Sequence, residues 1–419
     1  MIPQQTLESP RLATLQQALT AGNMAALEMF WQEISTHGTP LIEAIAGDAT
    51  HHLATFLWRA KVETQNVVVW GGPAGSDHPA EHQMVRLLDT DLWYRTYRVQ
   101  TDLLGAYSFS VNDPFTDPKE PGIDPSTRFL FDPLNPLVFY QGEALSGIRG
   151  VGRSILAMPG SPPQPWVVPV PPEAQGKIDI HHVSSQILNN ERRVWIYTPA
   201  GYTTSDEPYG LLLLFDGFDY LHAIQAPAIL DHLVHAGKIL PLVAVLIDNP
   251  DRQIRNRELP CHQPLVDFVT RELMPWVHEH YHVTADPAQT IVGGASYGGL
   301  AAAFVGLRAS ETFGNVLSQS GSFWWDIDPE ENMQQEWLIQ QFVASPRLPL
   351  RFSMNVGLKE HWEWLNMVTC NRHLRDVLIL KGYEVHYAEL NGYHHDVCWH
   401  ASFADCLVAL VSSPRPLPL

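Results

Sequence analysis

One segment in the last third of the chain restricts the possible folds more than any other. The strand candidate 290–292 continues through Gly293-Gly294-Ala295-Ser296-Tyr297-Gly298-Gly299 into an alanine-rich stretch that begins at Leu300. A buried strand that turns directly into a helix is typical of a parallel sheet, whose strands are joined by helical crossovers. The segment therefore predicts an α/β architecture for this part of the chain.

The pattern on both sides of this segment supports that architecture. Short apolar strand candidates alternate with helical stretches such as 264–281 and 298–310. The strand candidates are 193–197, 211–215, 242–247, 290–292, 316–318, 350–355 and 385–389. This alternation predicts a mostly parallel, doubly wound sheet in residues 177–419.

The first part of the chain has a different periodicity. Apolar residues at three- and four-residue spacing predict one or two helices over residues 12–46. Aromatic and β-branched runs separated by turn residues follow, at 55–60, 66–70, 93–99 and 106–111. We therefore predict a helical leader and a β-sandwich in residues 1–160.

A proline-rich segment separates the two patterns. Residues 161–176 contain Pro-Pro-Gln-Pro-Trp and Pro-Val-Pro-Pro-Glu, a density of proline that prevents a packed helix. We interpret it as the linker between two domains, in agreement with a length of 419 residues.

Composition excludes several classes of partner. The formal net charge is −19, which disfavours binding to nucleic acid or to an anionic membrane surface. No apolar run reaches the length of roughly 18 residues that a membrane span needs. An anionic substrate would require a local basic pocket.

The cysteines and the N-terminus indicate a cytoplasmic protein. Four cysteines, Cys261, Cys370, Cys398 and Cys406, lack the spacing of a zinc site or a CxxC motif, and we expect free thiols. The first 23 residues lack a basic leader, an apolar core and a small-residue cleavage site.

The central glycine-rich segment also contains a G-x-S-x-G motif around Ser296. Between a buried strand and a helix, this motif is typical of the nucleophile turn of α/β-hydrolases. The glycines relieve the crowding of a sharp turn, and the helix N-terminus favours developing negative charge. We therefore predict that Ser296 is a nucleophile and that residues 177–419 form an α/β-hydrolase catalytic domain.

A serine nucleophile requires a base and an acid, which follow it in the order acid, then histidine. Two adjacent histidines, His394 and His395, follow the last predicted strand, and the residues alone leave both open. Glu360 is the favoured acid because it lies in a loop just beyond a strand. The other acid candidates are Asp326, Asp328, Glu363 and Asp376.

The oxyanion hole needs two backbone N–H donors. We expect one from Tyr297, directly after the nucleophile, and one from Phe218, in the loop after strand 211–215.

Six blocks of the sequence form a distinctive set: Asp216-Gly217-Phe218, Arg255-Asn256-Arg257-Glu258-Leu259-Pro260-Cys261, Gly294-Ala295-Ser296-Tyr297-Gly298-Gly299, Leu317-Ser318-Gln319-Ser320-Gly321-Ser322-Phe323-Trp324-Trp325, Gly357-Leu358-Lys359-Glu360 and Gly392-Tyr393-His394-His395-Asp396-Val397-Cys398-Trp399. Together they resemble the enterochelin (ferric enterobactin) esterase family of esterase-D-like α/β-hydrolases. The β-rich N-terminal part resembles the family's N-terminal domain.

The resemblance implies hydrolysis of the trilactone esters of a ferric catecholate siderophore in the cytoplasm, with release of iron. It implies no cofactor, because iron enters only with the substrate; whether the protein is a monomer or a dimer stays open. Alignment on Cys398-Trp399 without a gap puts the catalytic histidine at His394, although a slip of one residue would favour His395. Glu360 falls on the family's acid position.

Candidate substrate-binding residues follow from the charge of such a complex, which is negative. Arg252, Arg255 and Arg257 lie close together after a strand and form the expected basic pocket, unless they pair with neighbouring carboxylates. Trp324 and Trp325 are candidates for stacking on catechol rings.

Three alternatives remain. The same catalytic residues would serve a general acyl or feruloyl-type carboxylesterase. The N-terminal sandwich could be a carbohydrate-binding module of a polysaccharide-associated esterase. The 20 histidines, with His278 and His282 four residues apart, raise the possibility of a metallohydrolase, but HExxH is absent and we predict no metal.

Overall fold

The chain divides into two units at residue 162, within the proline-rich segment. The structure, a computed structural model, describes residues 7–75, 78–116, 128–140, 152–205, 207–327, 336–362 and 365–411. The first unit is Met1–Pro162 and the second is Pro163–Leu419.

Two helices form the predicted leader, α1 (Pro10–Thr20) and α2 (Ala25–His37). Ser9 caps the first helix, because its Oγ accepts a hydrogen bond from the N–H of Leu12. The prediction of helix as far as residue 46 is wrong. Gly38, with φ of 83°, ends α2, and the segment Leu41–Ile45 is a strand.

The sandwich consists of two four-stranded sheets, of order β1-β2-β5-β4 and β3-β6-β8-β7. Their strands are β1 (Leu41–Ile45), β2 (Asp48–Arg59), β3 (Val67–Gly71), β4 (Val85–Arg86), β5 (Leu92–Gln100), β6 (Leu104–Val111), β7 (Val138–Tyr140) and β8 (Gly152–Ala157).

Alternate residues of β2 face opposite sides of its sheet. Phe56 packs edge-on against Tyr107 of the second sheet, with ring centroids 4.6 Å apart. Leu57 points the other way and packs with Leu12 and Ile34 of the leader helices. The period of two therefore builds two apolar layers from one strand.

The second unit contains one eight-stranded sheet of order β18-β15-β14-β13-β11-β12-β10-β9. Its strands are β9 (Lys177–Ser185), β10 (Asn190–Thr198), β11 (Gly210–Leu214), β12 (Leu242–Ile247), β13 (Thr290–Ala295), β14 (Asn315–Gln319), β15 (Arg351–Gly357) and β18 (Glu384–Leu390), while β16 (His361–Trp362) and β17 (Leu365–Asn366) form a small hairpin. In this sheet β10 pairs antiparallel with both β9 and β12, and the other five strand pairs are parallel, so the expected mostly parallel sheet is confirmed.

Helices cover both faces of this sheet. They are α3 (Gly217–His222), α4 (Ala226–His235), α5 (Arg252–Glu258), α6 (Gln263–Phe268), α7 (Met274–His280), α8 (Tyr297–Arg308), α9 (Trp337–Ala344), α10 (Met367–Leu380) and α11 (Asp396–Val411), with a π-helical turn, Val269–Leu273, joining α6 to α7. Along β11, Leu211 and Leu213 belong to one core and Leu212 and Leu214 to the other. Each of these fully buried leucines contributes about 2 kcal/mol of transfer free energy.

The topology determines where a site can form. β13 lies near the middle of the sheet between β11 and β14, and the carboxyl ends of these parallel strands share one edge. Among the helices in the described part of the chain, none has the length and apolar character needed to cross a bilayer.

Candidate active site

Ser296 occupies the turn between β13 and α8, with φ of 57° and ψ of −121°. Two nearby positions, Gly294 and Gly299, have no room for a side chain. A Cβ on Gly294 would lie 2.4 Å from the carbonyl carbon of Gly298, and one on Gly299 would lie 2.6 Å from the Oγ of Ser318. The turn is therefore as tight as the motif predicts, and it presents Ser296 at the carboxyl edge of the sheet.

His394 lies between Ser296 and Glu360. Its Nε2 is 3.0 Å from the Oγ of Ser296, and its Nδ1 is 2.7 Å from the Oε2 of Glu360. Because the carboxylate accepts the Nδ1 proton, Nε2 is left to accept the proton of the serine hydroxyl. The Glu360 side chain is fully buried, while that of His394 is 23% exposed. The three side chains form a continuous hydrogen-bonded chain.

Two side chains that the sequence reasoning missed, those of Ser320 and Trp399, help to hold Glu360 in place. The Oε1 of Glu360 accepts hydrogen bonds from the Oγ of Ser320, at 2.6 Å, and from the N–H of Gly357, at 2.7 Å. The indole Nε1 of Trp399 donates to the Oγ of Ser320 at 3.0 Å, and its ring meets the His394 ring edge-on. Both residues belong to blocks that carry the family resemblance, which was the available signal.

His395 has a different position from its neighbour. Its carbonyl accepts the N–H groups of Cys398 and Trp399, and its Nδ1 accepts from the N–H of Val397 at 3.2 Å. It therefore caps the start of α11. The structure brings His394 to Ser296, in agreement with the ungapped alignment.

Among the other acid candidates, Asp376 is exposed and forms an ion pair with Arg375 at 2.7 Å. Asp328 and Glu363 lie outside the described residues.

The expected oxyanion donors lie at the starts of two helices. Tyr297 is the first residue of α8, and Phe218 is the second residue of α3. First-turn N–H groups have no acceptor within their own helix and can bind an anion. The two helix starts are close together. Gly298 is the second residue of α8, Asp216 directly precedes α3, and a Cβ on Gly298 would lie 3.0 Å from the Oδ2 of Asp216.

The three arginines do not form one basic surface. Arg255 binds both oxygens of Asp216, at 2.7 Å each. Burial lowers the pKa of Arg255, but Asp216 more than offsets this and raises it. Arg257 is exposed and pairs with Glu258 at 3.0 Å, and Arg252 is exposed at the start of α5.

Trp324 and Trp325 contact different aromatic residues. The Trp324 ring lies 6.1 Å from that of Tyr297, whereas the Trp325 ring meets that of Trp337, of α9, edge-on. Trp362, which the sequence reasoning missed, is 37% exposed and lies 6.1 Å from the His394 ring. Aromatic rings therefore lie next to His394 and next to Tyr297, the residue that follows the nucleophile.

The carboxyl group of Asp219 interacts electrostatically with Arg255 and with the carboxylates of Asp216 and Asp396. Burial, together with the carboxylates of Asp396 and Asp216, raises the pKa of Asp219 well above its usual value, against the opposing charge of Arg255. The carboxyl group of Asp219 is therefore more easily protonated than an exposed one.

The cysteines are buried free thiols, as expected. Burial raises the pKa of Cys398, four residues after His394, to about 12, and that of Cys406 to about 11. Thiols with such pKa values are poor nucleophiles at neutral pH. In the part of the chain that the structure describes, no three His, Cys, Asp or Glu side chains are grouped to hold a metal ion.

This fold and this arrangement of serine, histidine and glutamate define a carboxylic ester hydrolase of the α/β-hydrolase class. Two family descriptions match the chain, "Putative esterase" over residues 185–410 and "Enterochelin esterase, N-terminal" over residues 53–167. The chain belongs to the enterochelin esterase family.

Known proteins of this family resemble it over nearly the whole length. The iron(III) enterobactin esterase of Dickeya dadantii is 30% identical over 95% of this chain and 96% of its own. That of Escherichia coli O6:H1 is 31% identical over 85% of this chain and 90% of its own. The enterobactin esterase of Shigella flexneri, solved in the presence of enterobactin, has a TM-score of 0.75 at 30% identity and covers 91% of this chain and 97% of its own.

Proposed function

We propose that this enzyme hydrolyses the trilactone ester bonds of a ferric catecholate siderophore of the enterobactin type. The observation that carries the proposal is the hydrogen-bonded chain from the Oγ of Ser296 through His394 to Glu360, at 3.0 and 2.7 Å. It supplies a nucleophile, a base and a carboxylate that orients the base. The kinship with iron(III) enterobactin esterases supports the choice of substrate.

In the first half of the reaction, the Oγ of Ser296 attacks a lactone carbonyl carbon while Nε2 of His394 takes the hydroxyl proton. The carbonyl oxygen becomes an oxyanion that the N–H groups of Tyr297 and Phe218 stabilise. The C–O bond of the ring then breaks, and His394 returns the proton to the leaving alkoxide. The product is a linear ester bound to Ser296.

In the second half, a water molecule attacks the acyl carbon and gives a proton to His394. The bond to Ser296 breaks, the serine recovers the proton, and a carboxylic acid leaves. Opening the ring lowers the effective concentration of the catechols around iron, so the metal is held less tightly. Iron is cargo of the substrate, and the chemistry of the three side chains requires no cofactor.

The compartment, the oligomeric state and the partners of the enzyme are part of the same proposal. We propose a cytoplasmic enzyme, acting as a monomer or a dimer, that contacts neither membrane nor nucleic acid. The four buried free thiols support a reducing compartment. Fractionation of the source cells against cytoplasmic and periplasmic marker enzymes tests the compartment.

The decisive experiment is product analysis after incubation with ferric enterobactin. The wild type should give linear and monomeric serine catecholates, and S296A should lose about a million-fold in kcat while keeping its far-UV spectrum. A neutral p-nitrophenyl ester serves as a parallel substrate, with and without EDTA. If the neutral ester is cleaved but the ferric trilactone is not, the substrate assignment is wrong.

A further inference from the structure

The contacts of Arg255 point to a role other than binding substrate charge. Its Nε and one terminal nitrogen each lie 2.7 Å from a different oxygen of Asp216. The side chain of Arg255 is 19% exposed and that of Asp216 is 5% exposed. The amide of Asn249 donates to the same carboxylate at 2.7 Å. Asp216 is thus held by three hydrogen bonds, two of them from Arg255.

Asp216 has an unusual backbone conformation at the start of the segment that leads to Phe218. It adopts a left-handed conformation, with φ of 54° and ψ of 48°, and its carbonyl accepts the N–H of Tyr220 at 3.1 Å. Gly217 is pressed against β12, since a Cβ there would lie 2.6 Å from the carbonyl carbon of Leu246. A strained residue of this kind persists when its surroundings fix it. The ion pair provides such a constraint two residues before the expected donor, Phe218.

Arg255 also contacts the other side of the expected oxyanion hole. Its guanidinium lies 5.7 Å from the centre of the Tyr297 ring, and Asp216 lies against Gly298, the next residue of α8. One ion pair therefore touches both helix starts that carry the expected N–H donors, those at Tyr297 and Phe218.

We propose that Arg255 is a positioning residue: its ion pair with Asp216 holds the N–H groups of Phe218 and Tyr297 in the orientation that stabilises the oxyanion. The inference rests on the proposed function, in which these N–H groups stabilise the oxyanion. It applies to any ester substrate. N–H donors that are already oriented need not rearrange when negative charge develops on the carbonyl oxygen. They therefore stabilise the transition state more than the bound substrate.

The proposal predicts a specific pattern in R255Q. Kcat should fall about 100-fold, the usual effect of losing one oxyanion donor, for both a neutral p-nitrophenyl ester and a ferric catecholate trilactone. KM should change less than about three-fold for either substrate, because the ground state does not use these donors. R255K should keep part of the activity, and R271Q, which removes an exposed arginine of the same unit, is the charge-matched control.

The partner residue gives a second, independent test. D216N is nearly isosteric, and asparagine tolerates the left-handed conformation, so this variant should fold and lose a similar factor in kcat. The double variant should be no worse than the poorer single variant, because the two residues act as one unit. Binding of an alkyl trifluoromethyl ketone, which forms a tetrahedral oxyanion on the serine, should weaken by the same factor as kcat/KM.

Two results would overturn the proposal. One is a rise in KM for the ferric complex with unchanged turnover of the neutral ester, which would make Arg255 a substrate-binding residue. The other is full additivity of the two substitutions. An enzyme that cleaves the neutral ester but not the ferric trilactone would refute the substrate assignment alone, since the neutral ester still tests Arg255.

Discussion

His394 and His395 are neighbours in sequence with different surroundings. His394 contacts both Ser296 and Glu360, while His395 caps α11. H394A should therefore lower kcat by about a million-fold, and H395A should lower stability by about 1 kcal/mol with a small effect on kcat. Steady-state kinetics and urea unfolding of the two variants measure both effects. Loss of activity in H395A alone would contradict the assignment.

Asp219 should make stability depend on pH. Its folded pKa is raised, first by burial and then by Asp396, Asp216 and Asp248. A raised pKa means that the folded state binds the proton more tightly, so its contribution to stability is full below the unfolded pKa and is lost as pH rises through the folded pKa.

D219N removes this titration. We expect the variant to be more stable than the wild type at about pH 8, with the advantage shrinking toward about pH 4, because protonation then removes the unfavourable buried charge of Asp219 from the wild type. Urea unfolding across this range, with the exposed D405N as control, provides the measurement. An advantage that grows as pH falls would refute the sign.

At the scale of elements, the turn between β13 and α8 depends on close backbone contact. G294A would place its Cβ 2.4 Å from the carbonyl carbon of Gly298, so the turn must open. We expect a loss of about 3 kcal/mol in stability and about 100-fold in kcat, because the nucleophile moves.

The matched control is G237A, which has φ of 63° and open space around the added methyl group. Its cost should be about 1 to 2 kcal/mol of backbone strain with unchanged kcat. Equal effects of the two substitutions on kcat would show that the turn tolerates a side chain.

The leader helix α2 offers a comparison within one element. Ile34 is 1% exposed and packs in the leader core, while Met29 is 68% exposed. I34A should lower the free energy of unfolding by about 2 to 5 kcal/mol, whereas M29A should change it by less than about 0.5 kcal/mol. Denaturant titration of both variants checks this, and similar losses would mean that Met29 is buried in solution.

At the scale of the whole molecule, the net charge of −19 should slow the approach of an anionic substrate. Arg255 and Arg257 do not offset it locally, because each already faces a carboxylate. Raising NaCl from about 20 mM to about 300 mM screens the repulsion, so kcat/KM for a ferric catecholate trilactone should rise. The neutral p-nitrophenyl ester should show a flat profile. A fall for the ferric complex would indicate an attractive basic pocket instead.

The local parts of this architecture could be predicted from the sequence. Seven strands of the eight-stranded sheet, the turn at Ser296 and four runs of the sandwich were visible, because each signal lies within about ten residues and reflects a period of two or 3.6. The strand β9 was missed because the alternation at Ile178 and Ile180 is short and the residues that follow, His181 to Ser185, do not continue it. The strand β1 was mistaken for helix because a short apolar run fits either period.

The sequence by itself determined the fold class and indicated a serine, two histidines and a glutamate as the candidate catalytic residues. Tertiary structure decided which histidine meets Ser296 and which residue Arg255 binds. The physical reason is that those contacts join positions 98 and 39 residues apart along the chain. Which residues from distant parts of the chain come into contact depends on how strands and helix starts converge at one edge of the sheet. Local periodicity in the sequence does not encode these contacts.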